Sequence, residues 1–394
     1  MTAEMLEQAV VQVSLDRLVE ASRVLKAVLD KRPQAPMLAC ARVTGAPDGV
    51  TVEMFNLERG CRIVLHRPSV PFGPVLVGGT DLLAAVKGVS AGVTARVRRD
   101  GTASMSVSAD RLTLTGPSGI SVPMATVDGP GVWPELPTVT GNFWDLAGDD
   151  LASVVAAVTP AASKDWMVPV LCAVHVTTSG RDVHMEATDR FRAHAGTVRA
   201  SAPACTDVNF QVRADTLAAV AKLLPAGHGV RLTVQKAQDE PRRSGWAVLS
   251  WQGIEVFLML TEGQFPALAR LWPADAPVEL TCNRAALLGA VKSVTPFCVR
   301  GTPVLLVLDG AFIVASTRLG EGDPVRSAPV PVSGTPDDDV EFAHLPFTPG
   351  FLTDALAALD GDRVTLHVTH RHKPVAFDAG GAVSALVVPM RFFF

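Results

Sequence analysis

Tyrosine is absent from the 394 residues, an omission for which there is no physical account. Long apolar runs are also missing. Apolar runs such as those at 304–308 and 385–390 are strand-length and far short of the roughly 20 residues a membrane-crossing helix needs. No CxxC pair occurs. Cys40, Cys61, Cys172, Cys205, Cys282 and Cys298 are scattered, and read as small buried hydrophobes of a reducing compartment, not a disulfide frame or zinc site. There is no basic excess: the net charge of −4 argues against a protein that coats nucleic acid by bulk charge, and leaves room for an acidic outside with a basic lining. No long polar or low-complexity tract suggests disorder. The opening MTAEMLEQAV carries acids and lacks a signal-peptide pattern, so a soluble cytoplasmic protein is expected.

What is present is a repeat. Three stretches run amphipathic helix, short loop, proline, apolar residue, leucine, strand: LDRLVEASRVLKAVLDKRPQAPMLACARV, DDLASVVAAVTPAASKDWMVPVLCAVHV and NRAALLGAVKSVTPFCVRGTPVLLVL. Their prolines, Pro36, Pro169 and Pro303, recur at an almost constant interval, and Leu38, Leu171 and Leu305 each follow at the second position after. A second set recurs as TDLLAAVKGVSAGVTARV, ADTLAAVAKLLPAGHGVRLTV and TPGFLTDALAALDGDRVTLHV, with Leu83, Leu217 and Leu352 keeping nearly the same interval. Each reads as a helix, a glycine-containing turn and a strand, the strands falling at 93–97, 230–234 and 364–368. Alanine- and leucine-rich helices resemble one another anyway, but that leaves the constant period unexplained. Between the helices, segments such as WAVLSWQGIEVFLML alternate like antiparallel strands. The expected fold is α+β: three tandem domains at 1–138, 139–276 and 277–394, each with two helices packed on antiparallel sheets. Domains that meet through one repeated contact close into a ring or run on as a filament.

Four segments carry a resemblance. They are ATDRFRAH at 187–194, EGQFPALARLWP at 262–273, FTPGFLTDAL at 347–356 and the ending LVVPMRFFF. In order and spacing they resemble the bacterial DNA polymerase III β subunit, the β sliding clamp family, over nearly the whole chain. The resemblance implies a head-to-tail dimeric ring around duplex DNA, and one apolar groove that takes short peptides from the replicative polymerase, the clamp loader and repair proteins. Carried over by position, the groove comprises Leu171, Thr188, Arg190, Phe191, Arg192 and Ala193. Pro266, Arg270 and Leu271 follow, then Thr348, Phe351 and Pro374, and last Val387, Val388, Pro389, Met390 and Arg391. Apolar walls suit aliphatic and aromatic anchors, and arginine stems add area and donate to peptide carbonyls. Taken singly, Phe191, Leu271 and Val388 read equally well as core residues. The chain departs from the family at Ala193, usually leucine, which is expected to enlarge the pocket. It departs again at Val388, usually methionine, and at Phe392, Phe393 and Phe394 in place of one leucine. An altered groove admits a second reading within the family, a secondary clamp from a phage, plasmid or antibiotic-resistance locus.

The resemblance also implies helices that meet DNA phosphates without reading bases, since fixed base contacts would trap a sliding ring. Arg32, Lys87, Lys164, Lys222, Arg284 and Lys292 are the candidate DNA contacts; each, singly, reads also as a solvated surface charge. Leu112 and Leu114, in ADRLTLTG, match the apolar edge-strand positions of the dimer interface, with Phe297 opposing them; a partner would cover an otherwise exposed apolar edge. GVSAG at 88–92 matches the letters of a nucleophile elbow, so a serine hydrolase using Ser90 is the alternative from another class. That elbow needs a strand before and a helix after, the reverse of the context here. His367, His370 and His372 do not share one strand face, and Asp337, Asp338 and Asp339 sit in a glycine- and proline-rich loop. No P-loop and no assembled catalytic set occurs. A non-catalytic protein without metal or cofactor is expected, working in the cytoplasm on the nucleoid.

Overall fold

The computed structural model describes residues 9–66, 70–108, 110–202, 206–236, 245–273, 275–317, 323–334 and 344–391. Cys205, Asp337, Asp338, Asp339, Phe392, Phe393 and Phe394 lie outside them. The chain begins β1 (Ala9–Ser14), α1 (Leu15–Val28), β2 (Cys40–Ala46), β3 (Gly49–Phe55), β4 (Arg59–His66) and β5 (Phe72–Gly78). Next come α2 (Gly79–Ser90), α3 (Ala95–Asp100), β6 (Thr102–Val107), β7 (Arg111–Thr115) and β8 (Ser121–Val127). The middle stretch is β9 (Asn142–Ala147), α4 (Gly148–Val158), β10 (Ala173–Ser179), β11 (Asp182–Thr188), β12 (Arg192–Arg199) and β13 (Asn209–Arg213). It continues as α5 (Ala214–Ala221), β14 (Gly229–Gln235), β15 (Trp246–Trp251) and β16 (Ile254–Met259). The last stretch is β17 (Val278–Asn283), α6 (Arg284–Val294), β18 (Val304–Asp309), β19 (Phe312–Ser316), β20 (Val330–Ser333) and β21 (His344–Phe347). It closes with α7 (Pro349–Ala358), β22 (Arg363–Val368), β23 (Val375–Asp378) and β24 (Val383–Val387).

Two compact units form: residues 1–148 with 219–260, and residues 149–218 with 261–394. The first holds a sheet ordered β1-β6-β7-β8-β5-β2-β3-β4-β16-β15-β14-β9, and the second a sheet ordered β13-β10-β11-β12-β24-β23-β22-β17-β20-β19-β18-β21. Both are built from two quartet patterns, each occurring three times. The quartet β5-β2-β3-β4 has the connectivity of β13-β10-β11-β12 and of β21-β18-β19-β20, while β8-β7-β6-β1 matches β16-β15-β14-β9 and β24-β23-β22-β17. The compact units follow the sheets and not the sequence period, because strands of successive repeats pair with one another.

Those pairings are the same contact made twice. Where β4 meets β16, Arg59 lies opposite Leu258 and Ile63 opposite Ile254. Where β12 meets β24, Arg192 lies opposite Val387 and Gly196 opposite Val383. One constant shift along each strand carries every pair of the first joint onto a pair of the second.

Strands and helices follow the pattern of their side chains. In β1, Ala9, Val11 and Val13 are buried while Val10 and Gln12 are exposed, the two-residue period of a strand with one covered face. In α1 the buried residues are Leu15, Leu18, Ala21, Val24, Leu25 and Val28, one stripe of a 3.6-residue helix. Asn283 caps α6 by accepting from the Ala286 N–H at 2.8 Å. The described cysteines are free, and all but the half-buried Cys298 are buried. Burial pushes the Cys61 thiol up to about 12 and that of Cys282 to about 11, so they behave as small hydrophobes. Among the described residues no helix is long and apolar enough to cross a membrane.

Of the three strands expected after the second helix, 230–234 and 364–368 fall within β14 and β22, but 93–97 does not form a strand. Gly92, at φ +69°, ends the turn after α2, and the Thr94 hydroxyl accepts from the Val97 N–H at 3.3 Å, starting α3 instead. The strand that pairs with β1 is the next one, β6.

Candidate functional site

The residues carried over as a groove all belong to the second unit, and Arg192, Ala193 and Val387 lie in the paired part of the β12–β24 joint. Thr188 ends β11, and its hydroxyl donates to the Arg192 carbonyl at 2.6 Å and accepts from the Arg190 N–H at 3.0 Å. The Asp189 carboxylate accepts from the backbone N–H groups of Phe191 and Arg192, both at 3.0 Å. This tight turn puts Arg190 at φ +79°, a backbone region costly for a residue with a side chain, and turns Phe191 outward, 61% exposed. The Phe191 carbonyl accepts from the Val388 N–H at 2.9 Å, bringing the chain's end beside the turn. The Met390 N–H donates to the Pro346 carbonyl at 2.7 Å.

Arg192 is a strut. Its Nε donates to Asp189 at 3.0 Å, one terminal nitrogen to Asp354 of α7 at 2.5 Å and the other to the Pro160 carbonyl at 2.5 Å. Its guanidinium also lies 4.4 Å from the centre of the Phe351 ring. Buried and engaged at all three nitrogens, Arg192 is not a donor to peptide carbonyls as expected; Arg190, Arg270 and Arg391 are the exposed arginines of the set. Beneath lies an apolar floor in which Ala193, Phe265, Leu268, Ala376 and Leu386 pack together, with Val170 and Trp272 against them. The enlargement expected at Ala193 is therefore not open space, because the 265–272 segment packs into that cluster. Leu171, Val387 and Pro389 are buried, Pro266 and Leu271 exposed, and Thr348, Phe351, Pro374, Val388 and Met390 half-buried.

Phe265, Leu268 and Trp272, not among the residues carried over, turn inward beside Pro266, Arg270 and Leu271. The three-residue spacing of Phe265 and Leu268 was the available signal. His175 stacks on Phe265 with ring centres 4.8 Å apart, and its Nδ1 meets Glu186 at 3.0 Å. His194, fully buried, donates through Nδ1 to the Ala157 carbonyl at 2.7 Å, while its Nε2 finds no partner among the described residues. Burial lowers its pKa to about 4, so it is neutral at pH 7.

Of the candidate DNA contacts, Arg32, Lys87, Lys164, Lys222 and Lys292 are exposed. Arg284 is half-buried and donates to the carbonyls of Gly361 at 2.5 Å and Leu356 at 3.1 Å, satisfying the carbonyl end of α7. Arg23 and Lys26 on α1, and Arg96 and Arg99 on α3, are exposed as well.

The edge placement of Leu112 and Leu114 is corrected by the fold. Their strand β7 lies between β6 and β8, and both side chains are fully buried within the unit. The strand with an open side is β8. Ser121 to Ala125 pair with β7, whereas only Thr126 and Val127 pair with β5. Phe297 is 60% exposed and its neighbour Val299 73%.

Ser90 is the last residue of α2, and its hydroxyl donates back to the carbonyls of Val86 at 2.7 Å and Lys87 at 3.2 Å. It sits at a helix end, not on a strand-to-helix elbow. His367 pairs with Glu279 at 3.0 Å, and the His370 and His372 rings lie 5.5 Å apart in the turn after β22. No group of three His, Cys, Asp or Glu among the described residues is arranged to hold a metal ion.

No protein-family model matches the chain. A Beta sliding clamp of Streptomyces coelicolor is 27% identical over 394 residues, covering 97% of this chain and 99% of that protein. The Beta sliding clamp homolog GriR of Streptomyces muensis is 26% identical over the same shares of both. The crystal structure of the DNA polymerase sliding clamp from Bacillus subtilis superposes with a TM-score of 0.83 at 17% identity, over 98% of this chain and 100% of that one.

Proposed function

From its membership of the bacterial β sliding clamp family, of which it is a divergent member, we infer that this chain is a DNA sliding clamp. It is a polymerase processivity factor that encircles duplex DNA without reading its sequence, and it is not itself an enzyme. It works in the cytoplasm, on the nucleoid, as three clamp domains spanning 1–138, 139–276 and 277–394.

The observation that carries this reading is the joint made twice in one register. A third joint of the same kind needs the last strand of the first repeat and the fourth strand of the third. The first is β8, whose outer side is unpaired from Ser121 to Ala125 among the described residues. The second is β20, which pairs with β17 only at Val332 and Ser333. The preceding Arg326, exposed, follows Arg192 at almost the interval at which Arg192 follows Arg59. Two copies joined head to tail through these edges close a ring, the outcome expected when a heterologous contact has a closing rotation. Phe297 and Val299 supply exposed apolar surface on the side of the third repeat.

Exposed lysines and arginines on the helices meet phosphates, contacts equivalent at every step of sliding. At the β12–β24 joint, Phe191, Leu271, Phe351, Val388 and Met390 rim a packed apolar floor, a surface suited to short extended peptides from polymerase and clamp loader. A second reading, a secondary clamp, fits the 26% identity to the S. muensis homolog. If it holds, the replicative polymerase's clamp-binding peptide binds this protein at least tenfold more weakly than it binds the resident clamp of the same cell.

The test of the main reading is topological. Loaded on nicked circular DNA, the protein stays bound at moderate salt, and cutting the circle releases it. Retention on the linear product overturns the reading.

A further inference from the structure

We propose that α3 is a phosphate-binding arm of the first repeat, holding the DNA backbone through Arg96 and Arg99. The inference rests on the clamp reading and adds to it a contact that the repeat itself does not provide. Between the second helix and the following strand the first repeat runs from 91 to 101, longer than the second at 222–228 or the third at 359–362. Only in the first does the segment form a helix. Its sequence, ARVRRD, sets three arginines against one acid in a chain whose net charge is −4.

The three arginines do different things. Arg98 is half-buried and pairs with Asp16, in the first turn of α1, at 3.3 Å. It thereby ties α3 against a helix of the kind that meets DNA. Arg96 and Arg99 stand at i and i+3, so they share one helical face. Both are exposed. Thr94 fixes the start of the helix, and the Gly101 N–H closes its end on the Val97 carbonyl at 2.8 Å. The two guanidiniums are thus carried on a short closed element instead of a loose loop. Paired guanidiniums on one face suit the oxygens of a phosphate, and such a contact needs no base, so sliding is preserved. Arg96 and Arg99 of α3, together with Arg23 and Lys26 of α1, make the first unit's helical layer locally basic although the chain is acidic.

The experiment compares the full-length protein with an Arg96→Ala/Arg99→Ala variant. Alanine keeps the helix, and sedimentation and circular dichroism confirm that assembly and fold are unchanged. Binding to a short fluorescent duplex is measured across a salt series. The double variant should lower the slope of log affinity against log salt by about 1.8, two phosphates' worth of counterion release, with the largest loss of binding at low salt. An unchanged slope overturns the proposal. Release of both proteins on linearising a circle keeps that outcome apart from failure of the clamp reading, in which the unmodified protein itself stays on linear DNA.

Discussion

Ala193 packs with Phe265, Leu268, Ala376 and Leu386, so a leucine there has no room unless the aromatic and branched neighbours move. Ala193→Leu is expected to lower stability by about 1–3 kcal/mol in urea unfolding, the usual effect of overpacking a filled core. A variant as stable as the parent would mean that the cluster has slack. His194 is the other residue whose setting has a measurable consequence. Its folded pKa of about 4 lies below its ordinary value of 6.5. The neutral form is what the fold accommodates, so its contribution is fully present above about pH 6.5. As pH falls towards 4 the unfolded chain takes up a proton that the folded chain refuses, and stability is lost, on the order of 3 kcal/mol. Thermal melts from pH 7 to pH 4 should fall steeply, and His194→Gln should flatten the decline. Equal slopes in both proteins would remove His194 from the explanation.

At the scale of the element, the edge that sequence alone assigned to the strand of Leu112 and Leu114 belongs to β8. The alternation in RLTLT correctly marks a strand with Leu112 and Leu114 on one side, but alternation does not say whether a second strand lies beyond. Leu112 is fully buried within the unit, so Leu112→Ala removes core and should cost about 2–5 kcal/mol without weakening the proposed head-to-tail dimer in sedimentation. Ala125→Asp, exposed on the open side of β8, should do the reverse: an unchanged melting temperature, and monomers at micromolar concentration in sedimentation. If Ala125→Asp sediments as the parent does, the closing joint lies elsewhere. The helix α3 follows the same logic. Valines at 93 and 97 fit a strand as well as a helix turn, and the decision fell to Gly92, Thr94 and the Arg98–Asp16 pair.

For the whole molecule, the Ala125→Asp variant links edge to function: a chain that cannot close should also lose retention on circular DNA. The constant period, the α+β class and the order of the signature segments were legible in the sequence, because they depend on local hydrophobic pattern and spacing. Through the resemblance, the sequence also singled out 187–194, 262–273 and the chain's end, of which Ala193, Phe265, Leu268 and Leu386 pack together. What each member does there was not legible. Arg192 became a buried strut because Asp354, far along the chain, reaches it. Trp272 faces inward and Leu271 outward for reasons of packing that no spacing encodes. The sequence by itself determined that one design is used three times. The tertiary structure decided which strand of the first repeat keeps an open edge and which side chains floor the groove, because pairing partners and burial arise only when residues distant in the chain come into contact.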